Sequence, residues 1–260
     1  MSAGTFTPSP GAAPVSRMIL AQTALETRML LRNGEQLLLT VIIPALLLTL
    51  FSAVDIVTVP TGEGGTGKSV DFLAPGILAL AVMSTAFTGQ AIATGFDRRY
   101  GVLKRLGASP LPRWALMAAK TLSVLVTEVL QIALLTAIAF ALGWSPHGNP
   151  LSAAVLILLG TAAFSGLGLL MAGTLKAEAT LAAANLVFLL LLVGGGVIVP
   201  MEKFPGAVQS ILGLLPISAL SDGLREVLQH GAALPWGDAA ILAGWAVLGL
   251  GAAARWFRWE

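Results

Sequence analysis

Six stretches of the chain carry almost nothing but apolar residues: about 36 to 54, 72 to 95, 114 to 142, 151 to 175, 179 to 200 and 237 to 254. A helix rises ~1.5 Å per residue, so about 20 such residues match the ~30 Å hydrocarbon core of a bilayer. The pattern predicts six helical crossings joined by short polar connections, because a helix satisfies its own backbone groups inside lipid. Pro44, Pro75 and the triplet Gly194-Gly195-Gly196 fall inside or at the ends of these stretches and mark expected kinks or broken ends.

Ahead of the first stretch, between Val15 and Gln36, the period changes. At about 100° per residue, Val15, Met18, Ile19, Leu25 and Met29 share one side, while Arg17, Arg28, Arg32 and Glu35 cluster on the other. That is the pattern of an amphipathic helix lying in a membrane interface. The same charges, with Glu26, break any uncharged core that a cleaved signal peptide would need. Residues 1 to 14 are small, Pro-rich and polar and read as a disordered leader. Residues 15 to 260 then form a single transmembrane domain.

Composition narrows the chemistry. Of 260 residues, 56% are hydrophobic and 11% charged, and the mean hydropathy is +0.87, whereas a soluble domain is roughly a quarter charged. Six crossings leave no room for a separate soluble enzyme domain. With no cysteine there is no disulfide framework, thiolate metal site or cysteine nucleophile. The only histidines, His147 and His230, fall in connections, and no two apolar stretches carry facing carboxylates. Neither a Ser-His pair, an Asp dyad nor a metal set is therefore expected within the bilayer. A net charge of +2, with basic residues in a few patches, gives no support to nucleic-acid binding.

The placement of those patches sets an expected orientation. With the N-terminus inside, Arg17, Arg28, Arg32, Arg98, Arg99, Lys104, Arg105, Arg113, Lys120, Lys176, Arg255 and Arg258 are inner, and only Lys68, Lys203 and Arg225 are outer. Twelve against three places both termini in the cytosol, at a plasma membrane. It also bears on "PTGEGGTGKSV", residues 60 to 70, where Gly62, Gly67, Lys68 and Ser69 match the spacing of a phosphate-binding loop. This stretch falls on the outer side, away from cytosolic ATP, and Pro75 follows within two turns. It reads as a flexible glycine-rich loop.

Inside the apolar stretches, polar residues stand out. Glu128, in "TLSVLVTEVLQIALL", lies about 12 Å beyond Lys120 along a helix, at a depth where a charge costs about 3 kcal/mol. Gln131, one turn on, shares roughly its face and is in reach of a hydrogen bond to it. Two readings stay open: a polar lining of a substrate path, or a buried contact between helices or subunits. Asn185 and Gln90 are expected to hydrogen-bond between helices. Ala162/Gly166 and Gly168/Ala172 permit close helix approach.

The most informative connection is "GFDRRYGVLKRLGASPLPRWALMAAK", residues 95 to 120. Its order of acidic-Arg-x-x-Gly-x-Leu-Lys-Arg-Leu, then Ser-Pro-Leu-Pro-Arg, then a Lys opening the next apolar stretch, resembles the permeases of type 2 ABC exporters (the ABC-2 family). The resemblance implies a cytosolic coupling element that touches a separate ATPase, with Asp97, Arg98, Arg99, Gly101, Leu103, Lys104, Arg105, Leu106, Pro110 and Leu111 carried over. Asp97 stands where Glu is common, which keeps the charge and shortens the reach. A second segment, "GGGVIVPMEKFPGAVQSILGLLPISALSDGLREVLQHG", residues 194 to 231, is similar to the family's outer segment through Pro200, Pro205, Pro216 and Arg225. Short amphipathic pieces at Ile211 to Leu215 and Leu224 to Leu228 resemble its re-entrant helices, and the helix from Val15 resembles its interfacial elbow helix.

The resemblance further implies an all-α integral membrane protein working with a cytosolic ABC ATPase and a second permease, identical or paralogous. ATP and Mg are then expected on the partner, with no cofactor and no catalytic residue in this chain. Apolar lining favours a drug-like or lipid cargo and a multidrug efflux role. Two alternatives remain. An ATP-independent channel or secondary transporter predicts intramembrane ionisable residues beyond Glu128, or inverted repeats, and neither is evident. A non-transporting scaffold subunit would use the same basic loop.

Overall fold

The computed structural model describes Gly11 and residues 13–34, 38–53, 69–197 and 205–258. Most of the expected leader, Gly62, Gly67 and Lys68 of the glycine-rich stretch, and Pro200 of the second motif lie outside the described residues. Everything described is helix or short connection, with no strand among the described residues. The elements are α1 (Val15–Arg32), α2 (Ile43–Ala53) preceded by a π-helical stretch Leu38–Ile42, α3 (Ser69–Arg99), α4 (Val102–Gly107), α5 (Arg113–Ala141), α6 (Pro150–Thr174), α7 (Ala177–Gly194), α8 (Gly206–Leu212), α9 (Pro216–Leu228) and α10 (Trp236–Trp256). Among the described residues five helices, α3, α5, α6, α7 and α10, are long and apolar enough to cross a membrane, and Thr40–Ser52 is a shorter apolar helix. The chain is thus an all-helical, multi-pass membrane protein.

The central element is α3. Its hydrophobic window is 94% enclosed by the rest of the chain, against 17% for α7. From Leu73 to Met83 every side chain is buried, as befits a helix that is apolar all round. The helix runs through Pro75 without ending there. Further along, Met83–Gly89 widens into a π-helical stretch before the regular helix resumes at Gln90.

Small residues set the closest approach. A Cβ on Gly166 of α6 would stand 2.5 Å from the Leu250 backbone nitrogen of α10, and one on Gly249 would stand 3.0 Å from Leu167 N. The two backbones touch there, which only glycine permits. Gly168 meets the π-helical stretch of α3 in the same way, at 2.8 Å from the Phe87 carbonyl oxygen. Gly166 and Gly168, one residue of each expected small-residue pair, therefore let α6 sit between α10 and α3.

At the end where α3 begins, α9 packs inward through Ile217, Leu220, Leu224 and Val227, all buried. Pro216 sits at its first turn, where its missing N–H is not needed, so this helix is longer than the short piece expected at Leu224 to Leu228. Arg225 fastens it. The guanidinium donates Nη2 to the Val197 carbonyl at 2.8 Å, pairs through Nη1 with Asp222 at 3.0 Å, and lies 4.0 Å from the Phe72 ring centroid. A Cβ on Gly76 would come within 2.9 Å of Nη2, so Gly76 leaves the passage that this arginine occupies.

Candidate functional site

The opposite end of the bundle carries the basic connection. Helix α3 stops at Arg99, and Gly101 turns the chain with φ +70°, in the left-handed region that glycine adopts without a steric penalty. The short α4 that follows is pinned by Leu103, 1% exposed, while Lys104 and Arg105 point outward and are exposed. Ser109 then donates to the Leu106 carbonyl at 2.5 Å and accepts from the Leu111 amide at 3.3 Å, shaping the turn into α5.

Asp97, Arg98, Arg99 and Lys120 of this motif bond to neighbouring helices. Arg98 donates Nη1 to the Gly173 carbonyl at 2.6 Å and Nη2 to the Leu175 carbonyl. These oxygens belong to the end of α6, where carbonyls have no partner within their own helix. Arg99 pairs with Glu178 in the first turn of α7. Asp97 takes a hydrogen bond at 2.7 Å from Lys120, whose Nζ also reaches both carboxylate oxygens of Glu26 at 3.0 and 3.1 Å. One ammonium, 4% exposed, thus joins α1, α3 and α5. Burial makes such a cluster costly to break, since losing one partner strands the others. The sequence marks Lys120 and Glu26 individually but not their meeting, because 94 residues separate them.

Of the residues expected to form the coupling element, then, Asp97, Arg98 and Arg99 tie it to three other helices. Gly101 and Leu103 set its shape, and Lys104 and Arg105 form its outer face.

Glu128 and Gln131 are both buried, each 1% exposed, yet they bond to different helices rather than to each other. Glu128 accepts at Oε2 a hydrogen bond of 2.6 Å from the Thr161 hydroxyl of α6, and its Oε1 has no partner. Gln131 accepts a 2.8 Å hydrogen bond from Thr85 and donates to the Thr40 carbonyl. Thr40 and Thr85 sit in the two π-helical stretches. The Gln131 amide therefore clasps together the two places where the helical turn widens, and such widened turns recur at functional sites. Gln90 differs from expectation: both its amide atoms are buried without a hydrogen-bond partner, as is the Thr94 hydroxyl one turn on. Asn185 bonds to the Leu181 carbonyl of its own helix and is exposed. Among the described residues no group of three His, Asp or Glu side chains is placed to hold a metal ion.

Residues 13–255 match the family described as "ABC-2 family transporter protein". "Putative transport permease YvfS" of Bacillus subtilis (strain 168) is 26% identical over 230 residues, covering 87% of this chain and 91% of that protein. "Linearmycin resistance permease protein LnrN" of the same organism is 30% identical over 174 residues, covering 65% of this chain and 44% of that protein.

Proposed function

This chain belongs to the ABC-2 family of transporter proteins, and from that membership we propose that it is the membrane-spanning subunit of an ATP-driven exporter, moving an amphipathic or hydrophobic compound out of the cytosol. A separate cytosolic ABC ATPase binds and hydrolyses ATP with Mg, and a second permease subunit completes the pathway. This chain does no covalent chemistry. The outward Lys104 and Arg105, on a helix anchored by buried Leu103, are the single observation that carries this reading.

In this account the ATPase docks on α4 through charge-assisted contacts to Lys104 and Arg105. Movement of α4 passes through Arg98 to the α6–α7 junction and through Asp97 to Lys120, hence to α5 and α1. Both routes are bonded networks between packed helices, as transmission between two conformations requires. The substrate path runs beside Glu128 and Gln131, the latter joining the two π-helical stretches one turn from the buried carboxylate.

The excess of Lys and Arg at the α4 end supports cytosolic termini, and export out of the cell implies a plasma-membrane location. The shorter apolar helix Thr40–Ser52 is taken as the sixth crossing. Leu25 and Met29, which share one side of α1, are 52% and 59% exposed while Thr23 packs against α5; that exposed apolar side supports an interfacial elbow helix. α8 and α9 take the place of the re-entrant outer helices. The relative LnrN, a linearmycin resistance permease, supports outward transport of a small compound and a role in drug efflux.

Co-reconstitution with the cognate ATPase tests the proposal. ATP-dependent, vanadate-sensitive efflux of a fluorescent amphiphile is the expected result; partner binding without flux would instead make the chain a scaffold, and flux without ATP a channel or secondary transporter.

A further inference from the structure

Two cavities meet at Glu26, away from the outer face of α4. The smaller, about 30 Å³, lies between α1, α3 and α5 and is lined by Gln90, Thr94, Lys120, Ser123 and Thr127; it has room for about two water molecules. The larger is a groove of about 380 Å³ between α1 and the α3–α4 corner, lined by apolar Leu25, Met29, Phe96 and Leu106, a volume within the range of small-molecule sites. Glu26, Leu30 and Ala93 line both.

Charge distinguishes the two. Glu26 and Asp97 line the groove, whereas Lys120 lines only the smaller cavity. Two carboxylates share one ammonium, so the cluster carries a net charge of −1 and turns its acidic side toward the groove. Behind it, Gln90 and Thr94, 5% and 1% exposed, keep hydrogen-bonding atoms without partners. Buried polar atoms left in this way cost stability until a ligand or water meets them.

We propose that groove and cavity together form a binding site for an amphiphile with a protonated amine head. The ammonium rests on Glu26 and Asp97, its remaining protons reach Gln90 and Thr94 through the water that the small cavity admits, and the apolar tail lies along Leu25, Met29, Phe96 and Leu106. An alcohol head forgoes the ion pairing, and a sulfate head is repelled. The site deepens the exporter reading by naming a cargo class, and rests on that reading only for what happens after binding.

The test uses the full chain in phosphatidylcholine nanodiscs, without ATPase, and dodecylamine bearing a diazirine on its tail. Photolabelling, mapped by peptide mass spectrometry, should fall on residues 25–29 and 96–106. Unlabelled dodecylamine should suppress it at a concentration about tenfold below dodecanol or dodecyl sulfate. Gln90→Leu, which removes unmatched buried atoms and so keeps the fold, should lower the labelling several-fold, as should Asp97→Asn. Equal competition by dodecanol, or labelling unchanged in Gln90→Leu, overturns the site. ATP-driven flux without amine-selective labelling overturns the site alone, and amine-selective labelling without flux overturns the exporter reading alone.

Discussion

Arg98 donates to the Gly173 carbonyl at 2.6 Å, so the last turn of α3 is bonded to the last turn of α6, 75 residues further along the chain. A residue that the motif marks as a contact for another protein is held within its own bundle. Arg98→Ala would remove two hydrogen bonds at a cost of about 1 kcal/mol, although the Gly173 carbonyl keeps the Arg258 amide at 3.1 Å. A lower thermal midpoint of the purified protein is expected, with only partial recovery in Arg98→Lys, since a single ammonium cannot reproduce the two-pronged contact.

The α6–α10 contact predicts a steep dependence on size. Gly166→Val would drive its Cβ into the Leu250 and Gly249 backbone and should abolish stable expression. Gly244→Ala, on the same helix as Gly249 but with open space around it, should leave the thermal midpoint unchanged. Similar behaviour of the two variants would contradict the backbone contact.

The Thr161–Glu128 hydrogen bond separates structural from transport roles. Thr161→Val strips a buried carboxylate of its donor and is expected to destabilise by about 1–3 kcal/mol, read as a fall in thermal midpoint. Glu128→Gln retains an acceptor for Thr161 and should keep the fold while lowering efflux. Unchanged export of every substrate in Glu128→Gln would leave this residue as a contact between α5 and α6 and nothing more.

Topology is open to direct measurement because the chain has no cysteine to mask. Single-cysteine variants Lys104→Cys and Ala233→Cys sit in exposed positions at opposite ends of the bundle. In intact cells an impermeant maleimide should modify position 233 and spare position 104. The reverse pattern would invert the proposed orientation.

The fold is most legible in the sequence where one residue class repeats over a long span. α3, α5, α6, α7 and α10 follow from runs of apolar residues, and glycine and alanine spacing marks α6 as open to close approach without naming α10 and α3 as its partners. The pattern did not reveal the π-helical stretches, since Leu38–Ile42 and Met83–Gly89 have the same apolar composition as regular helix. Nor did it reveal which charges act within the bundle. Arg98, Arg99, Lys104 and Arg105 are alike as side chains; only the remote carbonyls at Gly173 and Leu175, and Glu178, distinguish the first pair. An amide in an apolar stretch, such as Gln90, predicts an interhelical hydrogen bond. Its neighbours are instead a cavity and Thr94, also without a partner.

The most direct measurement of the central claim compares ATP hydrolysis and efflux in proteoliposomes containing the ATPase and the Lys104→Glu/Arg105→Glu variant. Both side chains are exposed, so folding and membrane insertion should match the parent. ATP-driven efflux should fall at least about tenfold, the loss of roughly 1.4 kcal/mol of coupling, while the ATPase keeps its basal hydrolysis. Efflux and ATPase stimulation equal to the parent would contradict α4 as the surface through which ATP drives transport.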